Sequence, residues 1–126
     1  MSDLKTEFAK DFENLRVWQN ARVFVKEIYE TFDSCRDYAF RDQIRRASMS
    51  IMNNIAEGFE RRNKKDFAHF LDFARSSAGE VKSMLFIAED LKYLLPAYAT
   101  DMRERLAVMI RSIGALASKL HKTSKI

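Results

Sequence analysis

Apolar side chains return every three or four positions through most of this chain, the period of one buried face on an α-helix. Over residues 14–32, Trp18, Ala21, Val25, Ile28 and Phe32 make such a stripe, and Val17 and Phe24 widen it. Asn14 is the expected N-cap, its side-chain oxygen taking a bond from an unpaired backbone N–H of the first turn. Over residues 38–59 the stripe is Phe40, Ile44, Ala47, Ser48, Ile51 and Ile55. Gly58 near its end either stops the helix in the left-handed conformation or lies inside the last turn.

The third stripe is the longest: Phe67, Phe70, Leu71, Ala74, Ala78, Val81, Leu85, Ala88, Leu91 and Leu95. Asn63 caps it and Asp66, three positions on, approximates a capping box. Pro96 is expected to end it, because the ring lacks a donor and restricts the preceding residue. That makes a rod of about 45 Å at about 1.5 Å per residue. Met102, Leu106, Met109, Ile110, Ile113, Leu116 and Leu120 form the fourth stripe. Short connections make consecutive helices antiparallel neighbours, so the expected fold is all-α, an up-down-up-down four-helix bundle. A single domain over residues 1–126 is expected, with residues 1–12 as a flexible extension and 122–126 as a fraying tail.

Composition narrows the alternatives. Three glycines and one proline supply too few turns for a sandwich or barrel. No apolar run reaches the roughly 18 residues of a membrane span, and the first residues lack the apolar core of a signal peptide. Cys35 is the single cysteine, which suggests a reducing, cytoplasmic setting. The net charge is +4, but it is unevenly spread. Residues 34–65 carry eight cationic and four anionic side chains, and residues 96–126 carry six and two, whereas residues 1–33 and 66–95 are net acidic.

One stretch joins these features. From Arg41 to Phe67 an apolar helical face runs into a Glu57-Gly58 corner, followed at once by Arg61, Arg62, Lys64 and Lys65. In an antiparallel bundle the second and fourth helices finish at one end. The cluster should therefore share a pole with Lys119, Lys122 and Lys125, and with His121, and could neutralise several phosphates. The plainer account is that cations near helix C-termini complement the macrodipole and solubilise the surface. No aromatic interleaving at this corner suggests base stacking.

Three further readings concern chemistry and assembly. Counting antiparallel from the turn sets Arg46 level with Glu80, an expected structural ion pair, and Glu57 beside the buried face should need a partner. Met49 and Met52 on the second helix and Phe86 and Ile87 on the third broaden the apolar surface, as do Phe59 and Leu94. An oligomer interface through them is expected. Catalytic and metal sites are not expected. The two histidines, His69 and His121, lie on different helices, Asp66-x-x-His69 lacks the second motif of a di-metal bundle, and Ser76-Ser77 lack a base. There is no Gly-rich phosphate loop, and no cofactor is implied.

Phe12-Glu13-Asn14-Leu15-Arg16-Val17-Trp18, Gln43-Ile44-Arg45-Arg46-Ala47, Ile55-Ala56-Glu57-Gly58, and Ser77 with Glu80 follow in linked order. In these motifs the chain resembles the small four-helix-bundle proteins encoded in intervening sequences of bacterial 23S ribosomal RNA genes, over residues 12–95. The resemblance implies a ring-shaped homopentamer and a link to RNA; relatives of similar fold serve as RNA-binding accessories of retroelements. One departure stands out. Met52-Asn53 replace the family's Pro-Ser, so a straighter second helix is expected. The function expected is a non-enzymatic oligomer that binds RNA or a ribonucleoprotein through its basic pole. The alternative is a protein-interaction adaptor ring.

Overall fold

The computed structural model describes residues 8–124. A short 3-10 turn at Phe12–Asn14 leads into four helices, α1 (Arg16–Thr31), α2 (Tyr38–Phe59), α3 (Lys64–Asp90) and α4 (Pro96–Thr123). Among the described residues there is no strand, and none of the helices is long and apolar enough to cross a membrane. The four sequence stripes meet in one core, with Ile28, Ile44, Ile51, Ile55, Leu71, Leu85, Met102 and Leu106 fully buried. Contacts within each pair run in opposite directions. Gln43 meets Glu80 and Ser50 meets Ser77 across α2 and α3. Arg103 meets Glu89, and His121 meets Asp72, across α3 and α4.

Several boundaries differ from the sequence expectation for local physical reasons. Asn14 does not cap α1. It sits in the 3-10 turn and its side chain accepts from the Asp11 N–H at 3.2 Å, so α1 starts one residue after Leu15 with no side-chain cap. Asp37 caps α2 by accepting from Phe40 N–H, and Asn63 caps α3 by accepting from Asp66 N–H at 2.8 Å. The Asp66 carboxylate returns only to the Asn63 side-chain amide, so the capping box is half made. α2 runs unbroken through Met52-Asn53, as the loss of the family's proline suggests.

Helix α3 ends well before Pro96. Tyr93 N–H bonds back to Ala88 C=O at 2.8 Å and Lys92 N–H to Glu89 C=O at 3.0 Å, which is a Schellman closure. Lys92 takes the left-handed position with φ 63°, a conformation that favours glycine. Tyr93 is then held by donating its hydroxyl to Asp37 Oδ2 at 2.6 Å, which locks the α3–α4 corner onto the α2 cap. Pro96 instead opens α4 in the first helical position, where its missing N–H costs nothing. Leu91 and Leu95, expected on the buried stripe, are therefore exposed, and Leu94 turns inward. Lys92→Gly should raise stability by about 0.5–1 kcal/mol, read as an increase in the thermal midpoint, since it removes the Cβ strain of that φ.

Helix α1 lies mainly on α2, where Arg45 Nη2 donates to the Tyr29 carbonyl at 2.9 Å. Its contact with α4 is thinner and depends on a polar clamp. Arg105 grips both Glu27 carboxylate oxygens, at 2.7 and 2.8 Å, while Asp101 holds Arg105 Nε at 2.9 Å. Tyr98 donates its hydroxyl to Glu27 Oε2 at 2.6 Å. The Arg105 bond holds the Glu27 carboxyl below its ordinary range, against the opposing effect of partial burial. This clamp is complete above the ordinary carboxylate range and weakens as pH falls through the lowered value.

Of the expected flexible ends, residues 1–7 and 125–126 lie outside the described residues, and with them Lys125 of the expected pole. Phe8, Ala9 and Phe12 pack against the core. α4 continues past Lys122 to Thr123, whose hydroxyl, with that of Ser124, engages the last carbonyls.

Candidate nucleic-acid interface

The corner between α2 and α3 is tight because Gly58 is buried against α3. A side-chain carbon there would come within 2.6 Å of Phe70 Cβ and 3.0 Å of a Phe67 ring carbon. Gly58 has an ordinary helical φ, and α2 runs on past it to the cap at Glu60. The glycine thus serves close approach rather than a turn. Phe59, expected on the outer surface, is fully buried and meets Phe67 edge-on at 5.8 Å. This packing throws the next residues outward, and Arg61, Arg62 and Lys65 are all exposed.

The start of α3 and the end of α4 both touch the first residue described. The Phe8 ring packs edge-on against Phe67 at 6.4 Å, and Lys119 Nζ lies 5.6 Å above the same Phe8 ring. Lys119 is thus joined to the start of α3, next to Lys64 and Lys65, with Lys122 a turn further along α4. The pole is not purely cationic. Arg61 pairs with Glu57 at 3.3 Å and covers the Phe70 ring at 4.6 Å. Glu60 and Lys64 are each engaged as well, and Asp72 lies nearby on α3, bonded to His121 at 2.9 Å. Glu57 is more than half exposed, not beside the buried face as expected, and Arg61 one turn on is its partner.

The Arg46–Glu80 pair is replaced by a relay. Arg46 Nη2 donates to Gln43 Oε1 at 3.1 Å, and the Gln43 amide donates to Glu80 Oε2. Gln43, one turn before Arg46 on the same face, reaches the carboxylate first. Ser77 finds Ser50 at 2.9 Å, and Asn54 donates to the Ser50 oxygens. His69 is exposed and meets the Phe73 ring edge-on. Among the described residues no group of three or more His, Cys, Asp or Glu is placed to hold a metal ion.

The apolar residues expected at an interface fall in two places. Phe86 and Ile87 are 52% and 44% exposed, whereas Met49 and Met52 are half-buried and Met52 packs on the core. Through the Ser50–Ser77 bond, Met49 lies level with the middle of α3, about 13 Å along the axis from Phe86. Arg103 covers one face of the Phe86 ring at 4.1 Å and lies 2.9 Å from Glu89, a close ion pair not aligned as a hydrogen bond.

Two polar links had no sequence signal: the Glu27–Arg105 clamp and the Tyr93–Asp37 bond. Both join elements distant in sequence, and only the packed register reveals them. The bond from Tyr93 holds the Asp37 carboxyl below its ordinary range and pushes the Tyr93 hydroxyl up to about 12.

Four packed helices with cations gathered at one end define a small all-helical bundle protein. Residues 13–115 match the 23S rRNA-intervening sequence protein family, and the chain belongs to it. The match takes in all of α1, α2 and α3 and most of α4. No curated protein matches the chain.

Proposed function

We propose that this protein is a non-enzymatic, cytoplasmic homo-oligomer, a pentamer as the family resemblance implies, that binds RNA through the pole formed by Arg61, Arg62, Lys64, Lys65, Lys119 and Lys122. The observation that carries this reading is the Phe8 contact with both Phe67 and Lys119, which supports treating two cationic segments distant in sequence as one surface. Arg62 and Lys65 are exposed at its rim, and a cyclic assembly would repeat the charge around a ring. Base readout has no support at this corner, so affinity should be nearly independent of sequence.

Replacing Arg61, Arg62, Lys64 and Lys65 together by Gln should leave helicity and assembly unchanged while RNA affinity falls. The salt dependence should flatten by about 0.7 in the log–log slope for each phosphate of single-stranded RNA that is no longer neutralised. Equal binding by the variant, or no binding of the wild type at low salt, would reduce the pole to a solvated surface. A second reading, an adaptor ring, draws support from Phe86, Ile87, Leu91 and Leu95, which are exposed at the opposite end of α3 from the pole. Salt-insensitive capture of a polypeptide partner, abolished by Phe86→Glu, would favour it.

A further inference from the structure

Beside the pole, between α3 and α4, lies a cleft of about 510 Å³ whose lining includes Asp72, Arg75, Gly114, Ser118, His121 and Lys122. We propose that it is a discrete site for one phosphate group, separate from the diffuse cationic surface at the α2–α3 turn. Its residues come from two helix faces. Asp72 and Arg75 are one turn apart on α3, and Gly114, Ser118, His121 and Lys122 follow turn by turn on α4. The volume is within the range of small-molecule sites.

The donors are arranged, not merely near. Asp72 contributes the one carboxylate in this lining, and it is divided between two partners: Oδ2 meets His121 Nε2 at 2.9 Å and Oδ1 meets Arg75 Nη1 at 3.9 Å. Asp72 therefore acts as a positioning residue for the imidazole, while its other oxygen lies within ion-pair range of the guanidinium. The guanidinium fork has further N–H groups in one plane, the geometry that suits two phosphate oxygens at once. Ser118 adds a hydroxyl, and Lys122 an exposed charge.

Gly114 gives Arg75 its place. A Cβ at residue 114 would stand 3.1 Å from Arg75 Nε and 3.3 Å from Cζ, tighter than ordinary contact. The missing side chain leaves room for the Arg75 side chain to approach α4 at this height. The last turn of α4 would normally oppose an anion through its bare carbonyls. Here the Thr123 hydroxyl shares its proton between the Lys119 and Leu120 carbonyls and Ser124 Oγ donates to that of His121, so part of this carbonyl set is already engaged.

The phosphate could belong to a free phosphorylated compound or to the terminal monoester of an RNA strand; only the second source rests on the RNA reading above. The test is NMR on the full chain, following Arg75 Nε–H, Gly114, Ser118 and the His121 ring as inorganic phosphate is added at constant ionic strength. Saturable shifts confined to these residues are expected, and they should vanish in Arg75→Gln and in Gly114→Met, which fills the cleft without changing charge. They should persist in the quadruple Gln variant of the α2–α3 turn, so failure of the pole and failure of the cleft are distinguishable. The 5′-phosphorylated form of a short oligoribonucleotide should then bind roughly tenfold more tightly than its 5′-hydroxyl form, the worth of one or two charge-assisted hydrogen bonds. Equal affinity of the two forms, with phosphate shifts intact, assigns the site to free phosphorylated compounds. Absence of saturable shifts, or shifts that survive both cleft variants in folded protein, overturns the proposal.

Discussion

Trp18→Ala should lower the unfolding free energy by about 3–5 kcal/mol, a large part of the roughly 5–15 kcal/mol that a domain of this kind has in total. Trp18 is 8% exposed and meets the Phe12 ring edge-on at 5.1 Å. Alanine there removes the ring's buried area and leaves a cavity where α1 begins. α1 is poorly placed to absorb the loss. Its first turn has no side-chain cap, and its far end is held to α4 by the Glu27–Arg105 clamp rather than by broad packing. Collapse of the helix onto the cavity is therefore limited, and the cost should lie in the upper part of the large-to-small range. Far-UV circular dichroism in a urea titration reads the effect without relying on the deleted fluorophore. A shift worth less than about 1 kcal/mol would mean that the ring contributes little beyond what solvent contact would give.

How far the fold could be read from sequence depends on what each feature needed. The stripes of α1, α2 and α4 were legible because burial on one face imposes the three-and-four spacing directly, and nearly every residue they name is in the core. The end of α3 was not. Its terminator is Lys92 in a left-handed conformation, and lysine carries no signal for that position. Pro96 then misled, because a proline at a helix boundary can close one helix or open the next. Only the hydrogen bonds from Lys92 and Tyr93 to carbonyls in the last turn of α3 decide between them.

Side-chain partners were legible only to within a turn. The antiparallel count brought Arg46 level with Glu80 correctly, but Gln43 on the same face intercepts the carboxylate. The cations of the candidate interface were visible as a run. Of the acids that temper it, Glu57 stands one turn before Arg61 and is open to sequence counting, whereas the Asp72 contact with His121 becomes apparent only once α3 and α4 are set side by side. The cleft at Gly114 had no sequence signal at all. It needs a glycine on one helix and an arginine on another at the same height, and that depends on register.

Gly58→Ala should destabilise the protein by about 2 kcal/mol even though alanine is the better helix former by about 1 kcal/mol. The decisive contact is the 2.6 Å approach to Phe70 Cβ, an atom fixed to the α3 backbone, together with the Phe67 carbonyl at 3.3 Å. Neither can swing aside as the tip of a flexible side chain would, so α2 and α3 must separate where Phe59 and Phe67 interlock. Two other glycines isolate this cause. Nothing lies within 4 Å of a Cβ built at Gly79, so Gly79→Ala should stabilise α3 by about 0.5–1 kcal/mol through propensity alone. At Gly114 the obstacle is the far end of the Arg75 side chain rather than backbone, so Gly114→Ala should fall between the two, near neutral or slightly stabilising. Midpoints in one denaturant series should therefore rank Gly79→Ala above Gly114→Ala, and Gly58→Ala well below both. If Gly58→Ala is instead as stable as the wild type, the corner that presents Arg61, Arg62, Lys64 and Lys65 is looser than this packing describes. Their placement beside Lys119 would then have to come from some other contact.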